Sequence, residues 1–262
     1  MAGTSNMFAQ ERKNLILETL QQKKRVTIAE LTDLLQVSGT TVRTYLTELE
    51  QQHKLLRTHG GAMWIDAGYG TEETMDARQG KDLPQKQAIA RLAVQELNAK
   101  ETIFLDTGTT CVQIAEELLY RKIPMTAVTN DVRVALTLQK SNVLQVVMLG
   151  GTLRNAYECT LGAGMIEEME RYYFDTALIA ANGVSAEYGI STPHPETAQA
   201  KRAALKQAKR SIVVVDHTKL EKVTATKFAD IHDVDEILTD PEASEQLLAQ
   251  YQQQGIRIRK GE

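Results

Sequence analysis

From about residue 86 onward, short runs of β-branched and apolar residues alternate with amphipathic stretches, and no other feature restricts the fold of this 262-residue chain so tightly. The runs fall near Thr102–Leu105, Thr126–Thr129, Gln145–Leu149, Thr176–Ala180, Ile212–Val215 and Glu236–Leu238. The amphipathic stretches cover about 86–98, 112–121, 131–139, 162–171, 195–208 and 243–253. Strands separated by helices pair in parallel, so residues 86–262 are expected to form an α/β domain with a mainly parallel sheet wrapped by helices. In open sheets of that kind ligands gather outside the carboxyl ends of the strands, so the residues just after each run are the first candidates for a site.

The first such end reads Asp106-Thr107-Gly108-Thr109-Thr110, a glycine and three hydroxyls at the start of a helical pattern. Free N–H groups and the positive end of the helix dipole suit a phosphate there, although a Thr-rich helix cap with glycine for the turn has the same composition. Thr129-Asn130, Gly150-Gly151, Asn182-Gly183 and Asp216-His217-Thr218-Lys219 also follow strands, which brings small, polar and cationic groups to one edge. Lys219 would supply charge to a phosphate or sugar oxygen, and Asn130 could bond a hydroxyl. Glu196 and Lys201 follow a Pro193-His194-Pro195 turn; their five-residue spacing does not by itself bring them together, and a surface role is the alternative.

The first 64 residues read differently. A helix is expected over Gln10–Gln21, then Thr27-Ile28-Ala29-Glu30 as a capping box opening a short helix through Leu35. Gln36-Val37-Ser38-Gly39 makes a turn, and Ser38 caps a third helix running to about Gln52. On that helix Val42, Leu46 and Leu49 face a core, while Thr40, Arg43, Thr44 and Thr47 form a separate polar stripe. Arginine can donate twice to guanine, threonine offers a hydroxyl and a methyl, and Tyr45 at the stripe's edge could reach a phosphate or a base. Leu55–Thr58 and Ala62–Trp64 flank His59-Gly60-Gly61, a strand, turn and strand that would form a wing, with Lys54, Arg57 and His59 against DNA backbone or minor groove. The alternative is an amphipathic three-helix unit with a solvated Thr/Arg face.

Val37-Ser38, Thr41-Val42-Arg43, Leu46, Leu49-Glu50 and Arg57-Thr58-His59-Gly60-Gly61-Ala62 together resemble the head of the DeoR family of bacterial repressors. Where the family usually has Arg-Asp, this chain has Thr44-Tyr45, so operator sequence does not carry over from relatives. Over residues 86 to 240, DTGTT, TN, GG and DHTK resemble the family's sensor domain. The resemblance implies a ribose-phosphate isomerase-like fold that binds phosphorylated sugars, with the phosphate loop on Asp106, Thr107, Gly108, Thr109 and Thr110 and an effector-contacting lysine at Lys219. It matches the family's E-x-x-x-x-K pattern to Glu196 and Lys201 less closely. The expected DNA-contacting set is Thr27, Ser38, Thr40, Thr41, Arg43, Thr44, Tyr45, Thr47, Arg57, His59 and Gly60. The expected effector set adds Thr129, Asn130, Gly150, Gly151, Asn182 and Gly183 to the phosphate loop, Glu196, Lys201 and Lys219.

Residues 1–64 carry eight Lys/Arg against six Asp/Glu, so a net charge of −4 divides into a +2 head and a −6 remainder. That sign suits a DNA-binding head on an acidic body. Apolar runs are too short for a membrane span, and the N-terminus lacks a continuous apolar signal region, which points to the cytoplasm. Cys111 and Cys159 fit no metal spacing and are expected as reduced thiols. Residues 65–85, with Gly80 and Pro84 as breakers, read as a linker with a short helix around Glu72–Arg78.

The expectation is a non-catalytic repressor of a carbohydrate-utilisation operon without metal or cofactor, controlled by a phosphorylated sugar and binding double-stranded operator DNA as a homodimer or homotetramer. A sugar-phosphate isomerase, with Asp106, Glu196 or Asp216 as base, is the alternative from a different class, though isomerisation does not require a DNA-binding head. A sugar kinase would also use Asp-x-Gly-Thr-Thr, but in a hairpin, whereas a helical pattern from Val112 to Leu119 follows here.

Overall fold

The computed structural model describes residues 7–52, 54–64 and 73–261. The chain divides into two compact units at Ala67/Gly68. The first holds α1 (Ala9–Lys23), β1 (Arg25–Thr27), α2 (Ile28–Leu35), α3 (Gly39–Gln51), β2 (Leu55–Thr58) and β3 (Gly61–Trp64). Its strands make an antiparallel sheet in the order β1-β3-β2, so the expected wing gains a third strand before α2. Ile16, Leu20, Leu31, Leu35, Val42, Leu46 and Leu49 close one core with Val26, Leu55 and Ala62.

Within the expected 65–85 linker, the part from Glu72 back to Ile65 lies outside the described residues, and the rest is built into the second unit. Met75–Gln79 form α4, and Met75 is buried among Ile89, Ala90 and Ala93. Pro84 sits in the first turn of α5 (Leu83–Gln95), where its missing N–H costs nothing, and Gly80 ends α4. The two apparent breakers are helix ends.

The body continues through β4 (Thr102–Leu105), α6 (Thr109–Arg121), β5 (Met125–Thr129), α7 (Val132–Leu138), β6 (Leu144–Met148), β7 (Thr152–Arg154), β8 (Cys159–Leu161), α8 (Ala163–Met169) and β9 (Phe174–Ala180). It ends with β10 (Gly183–Ser185), β11 (Gly189–Thr192), α9 (Pro195–Gln207), β12 (Ala208–Val214), β13 (Thr226–Ala229), β14 (Glu236–Thr239), α10 (Glu245–Gln253) and β15 (Ile258–Lys260). Seven strands form one sheet in the order β15-β14-β12-β9-β4-β5-β6, every pair parallel. Such strands are covered on both faces and read as unbroken apolar runs. Leu178, Ile212 and Val214 face α5, α6 and α7, while Ala177, Ile179 and Val213 face α8, α9 and α10. No helix among the described residues is long and apolar enough to cross a membrane.

Strand order sets the position of the site. From β4 the chain steps outward to β5 and β6, then returns to lay β9 on the other side of β4 and continues to β12, β14 and β15. The order therefore reverses between β4 and β9, and loops leaving their carboxyl ends part to opposite faces, which opens a crevice there.

Candidate functional site

On the head, the capping box is present: Glu30 N donates to Thr27 Oγ1 at 3.2 Å, and Thr27 N donates to Glu30 at 2.8 Å. The Thr27 N–H first, then the Lys23 and Thr27 side chains, bond the carboxylate and hold Glu30 down to about 2. Ser38 accepts from Thr41 N at 3.2 Å, so Thr27, Ser38 and Thr41 are first of all helix caps. Thr40, Arg43 and Thr44 stand exposed on α3. Thr44 and Thr47 hydroxyls donate to the carbonyls of Thr40 and Arg43, at 3.2 and 2.9 Å, which leaves their oxygens as acceptors. Arg57, exposed on β2, donates to Thr47 Oγ1 at 2.8 Å and so ties the wing to the stripe. His59 and Gly60 are exposed at the wing's turn, and the Gly60 carbonyl accepts from Ile28 N at 2.8 Å.

Tyr45 is corrected by the structure: it is 9% exposed and packs in the head core, with Lys13 Nζ 6.0 Å from its ring. Helical spacing places it between the two faces of α3, and burial of a large ring decides for the core.

In the body, Asp106 directly follows β4 and is 2% exposed. It accepts from Ala180 N, at the end of β9, at 2.9 Å and forms an ion pair with Lys201. Lys201 Nζ also donates to the Ala180 carbonyl at 2.9 Å, so the two residues bridge the strands on either side of the switch point. Burial rules out the alternative of a surface role for Lys201, and both expected effector residues are paired with each other at the base of the loop. Glu196 lies exposed on the first turn of α9; five residues along a helix place it on a different face from Lys201.

The loop itself is held by a residue that sequence reading passed over. Asp131, fully buried, accepts from Gly108 N at 3.1 Å and Val134 N at 3.0 Å, and Thr107 bonds to it as well. Burial pushes its carboxyl up, and the N–H bonds oppose that rise. Gly108 has φ 134°, a left-handed value that favours glycine, and its N–H is turned to Asp131 rather than outward. α6 then begins at Thr109 with no side-chain cap among the described residues, and an uncapped helix start is a place that suits an anion. A Thr-Asn-Asp run at a strand end just before a helix was the signal for Asp131.

The remaining expected residues divide into two groups. Thr129 Oγ1 accepts from Asp131 N at 3.0 Å, Asn130 Nδ2 donates to the Thr160 carbonyl at 2.9 Å, and Asn182 Oδ1 accepts from Thr192 at 3.0 Å. The glycines answer to packing: a Cβ on Gly151 would stand 2.6 Å from the Leu161 carbonyl and one on Gly183 2.6 Å from that of Lys222. Gly150 donates its N–H to Glu168 at 2.9 Å. Lys219 lies 3.5 Å from Asp216 and donates to Thr218 Oγ1 at 3.0 Å, folded back on its own half-buried loop.

Lys86 on α5 is a second residue that sequence reading missed. It is buried, donates to the Arg78 carbonyl at 2.8 Å and to that of Lys81, and its ammonium is disfavoured by burial, with Asp216 countering. His217 is the residue that could take part in holding a cation. Its Nδ1 is 3.0 Å from Asp240 and its Nε2 3.7 Å from Glu242. Asp240 is already engaged by the N–H groups of His217 and Glu242, so this grouping serves the turn.

The sequence matches two known domain families. Residues 12–67 match the model of the DeoR-like helix-turn-helix domain, and residues 81–241 that of the DeoR C terminal sensor domain. The chain is 32% identical to the HTH-type transcriptional repressor GlcR of Bacillus subtilis over 89% of each chain. It is 32% identical to the HTH-type transcriptional regulator GlpR of Haloferax volcanii, over 89% of this chain and 91% of that one. The Glycerol-3-phosphate regulon repressor of Escherichia coli is 28% identical over 88% and 90%. Among solved structures, ribose 5-phosphate isomerase A from Methanocaldococcus jannaschii overlaps with a TM-score of 0.38 at 18% identity, covering 52% of this chain and 53% of that one.

Proposed function

We infer the function of this chain from the fact that it belongs to the DeoR family of transcriptional regulators. It is a cytoplasmic, non-catalytic repressor of a carbohydrate-utilisation operon that holds double-stranded operator DNA with α3 and the wing, and its control comes from a phosphorylated sugar. Thr40, Arg43 and Thr44 enter the major groove, and Arg57 and His59 contact backbone beside it. The sugar's phosphate lies on the uncapped start of α6, at the β4–β9 switch point, and Lys219 swings from Asp216 to meet it. Two heads read two half-sites, so the working form is a homodimer or homotetramer.

The observation that carries this reading is the uncapped helix start standing over a buried Asp106–Lys201 bridge at the place where strand order reverses. Lys201 and Ala180 N both bond Asp106 Oδ2, which supports a structural anchor at this position over an isomerase base. For control, the sugar phosphate must favour one state of the protein by about 1–3 kcal/mol of coupling.

The test is a gel-shift titration on the chain's own promoter DNA at several salt concentrations, with and without a panel of sugar phosphates. Salt-dependent binding that one sugar phosphate changes several-fold is expected, and Arg43→Ala should weaken it by about 1–3 kcal/mol. Turnover of a sugar phosphate without specific DNA binding would replace the repressor by the isomerase.

A further inference from the structure

Asn130 follows β5 directly, next to the Asp131 that fastens the Gly108 turn, and is 1% exposed. Its Nδ2 donates to the Thr160 carbonyl at 2.9 Å and its own carbonyl accepts from Thr160 N at 2.9 Å, while Oδ1 is buried without a partner among the described residues. The amide is locked in this sense. Turning it over would set Oδ1 against the Thr160 carbonyl, acceptor facing acceptor. Unpaired buried acceptors are uncommon in native interiors, and what completes this one must be a donor.

A phosphate dianion has no proton to offer and cannot complete it, whereas a hydroxyl can. A second unanswered atom, Thr197 Oγ1, is buried on α9 one turn before Lys201, on the face that reaches Asp106. We propose that Asn130 is the specificity-determining residue of the effector site, and that the effector is a phosphate ester bearing a free hydroxyl that donates to Asn130 Oδ1. The proposal rests on the sugar-phosphate reading above and adds what chooses among phosphate esters. An analogue lacking that hydroxyl leaves Asn130 unpaired, and sites built around a buried hydrogen bond reject such analogues strongly.

The test uses the full chain and isothermal titration calorimetry. Glycerol 3-phosphate, ribose 5-phosphate, glucose 6-phosphate and fructose 1-phosphate are titrated first, and the tightest binder is then compared with each of its monodeoxy analogues. One analogue is expected to bind at least about tenfold more weakly. In Asn130→Ala that ratio should fall close to one. In Asn130→Asp burial favours the neutral carboxyl, whose hydroxyl can replace Nδ2 as donor to the Thr160 carbonyl while the other oxygen stays an acceptor, so this variant should retain the ratio. If no monodeoxy analogue is discriminated against, if discrimination survives in Asn130→Ala, or if Asn130→Asp loses it too, the proposal is overturned. Failure of all four esters to bind the unaltered chain would instead overturn the sugar-phosphate reading, and this proposal with it.

Discussion

Replacing Lys201 by methionine isolates the charge that bridges β4 and β9. Methionine keeps an unbranched apolar stem in place and removes the ammonium. The Asp106 carboxylate, 2% exposed, would then retain only the Ala180 N–H at 2.9 Å, and the Ala180 carbonyl would lose its donor. Removing one partner of a buried ion pair costs about 3–5 kcal/mol, against about 0–1 kcal/mol for a pair at the surface. With a urea dependence of about 2 kcal/mol/M, the unfolding midpoint of the body should fall by roughly 2 M. Far-UV circular dichroism follows that transition. Trp64, the chain's single tryptophan, lies in β3 of the head, so its fluorescence reports a separate transition that should stay in place. Adding Asp106→Asn to Lys201→Met removes the stranded charge, and the double variant should be more stable than the sum of the two single losses. A midpoint drop under about 0.5 M for Lys201→Met would mean that Asp106 is well solvated, and the description of the bridge as a buried pair would fall.

Two further predictions concern the head. Glu30, held near 2 by the Thr27 N–H first and then by the Lys23 and Thr27 side chains, has a depressed value in the folded state. Its contribution is therefore fully present above the ordinary value of 4.5 and is lost as pH falls through about 2. Thermal melts of the head, read by Trp64, should lose stability across that window, and Glu30→Gln should flatten the slope; an unchanged slope would assign the acid sensitivity elsewhere. Gly61→Ala would place a methyl carbon 1.9 Å from the Val26 carbonyl and 2.8 Å from Thr27 Cα, both backbone, while Gly60→Ala meets nothing within 4 Å. The first should cost about 1–3 kcal/mol and the second under about 0.5 kcal/mol; equal losses in urea titration would contradict the β1–β3 packing.

How far the sequence could be read depended on the range of the interactions involved. The six apolar runs became six of the seven parallel strands, because strands buried on both faces show themselves in composition. β15 escaped notice since Ile258–Lys260 is short and two of its three residues are charged, as suits an edge strand. The head's caps were legible because Thr27–Glu30 and Ser38–Thr41 act over three residues. Lys201 was not, because its partner Asp106 is 95 residues away and only the fold joins them. Lys86 likewise looks like any surface lysine until α4 and the turn after it each bring a carbonyl onto it. Tyr45 was misplaced for a local reason: it sits at the boundary between two helix faces, where spacing is silent and packing decides.

The position of β15 also has a meaning in time. The strand completes the sheet beside β14, and Gly261 after it fits against α5 so closely that a Cβ there would stand 2.9 Å from the Ala88 carbonyl. α5 is made well before β15, and it waits for that strand and the glycine after it. The head has a core of its own, finished by β3 at Trp64. At about 5–20 residues per second, roughly 10–40 seconds of synthesis separate Trp64 from Gly261. Each newborn chain thus completes the core of its head well before the core of its body.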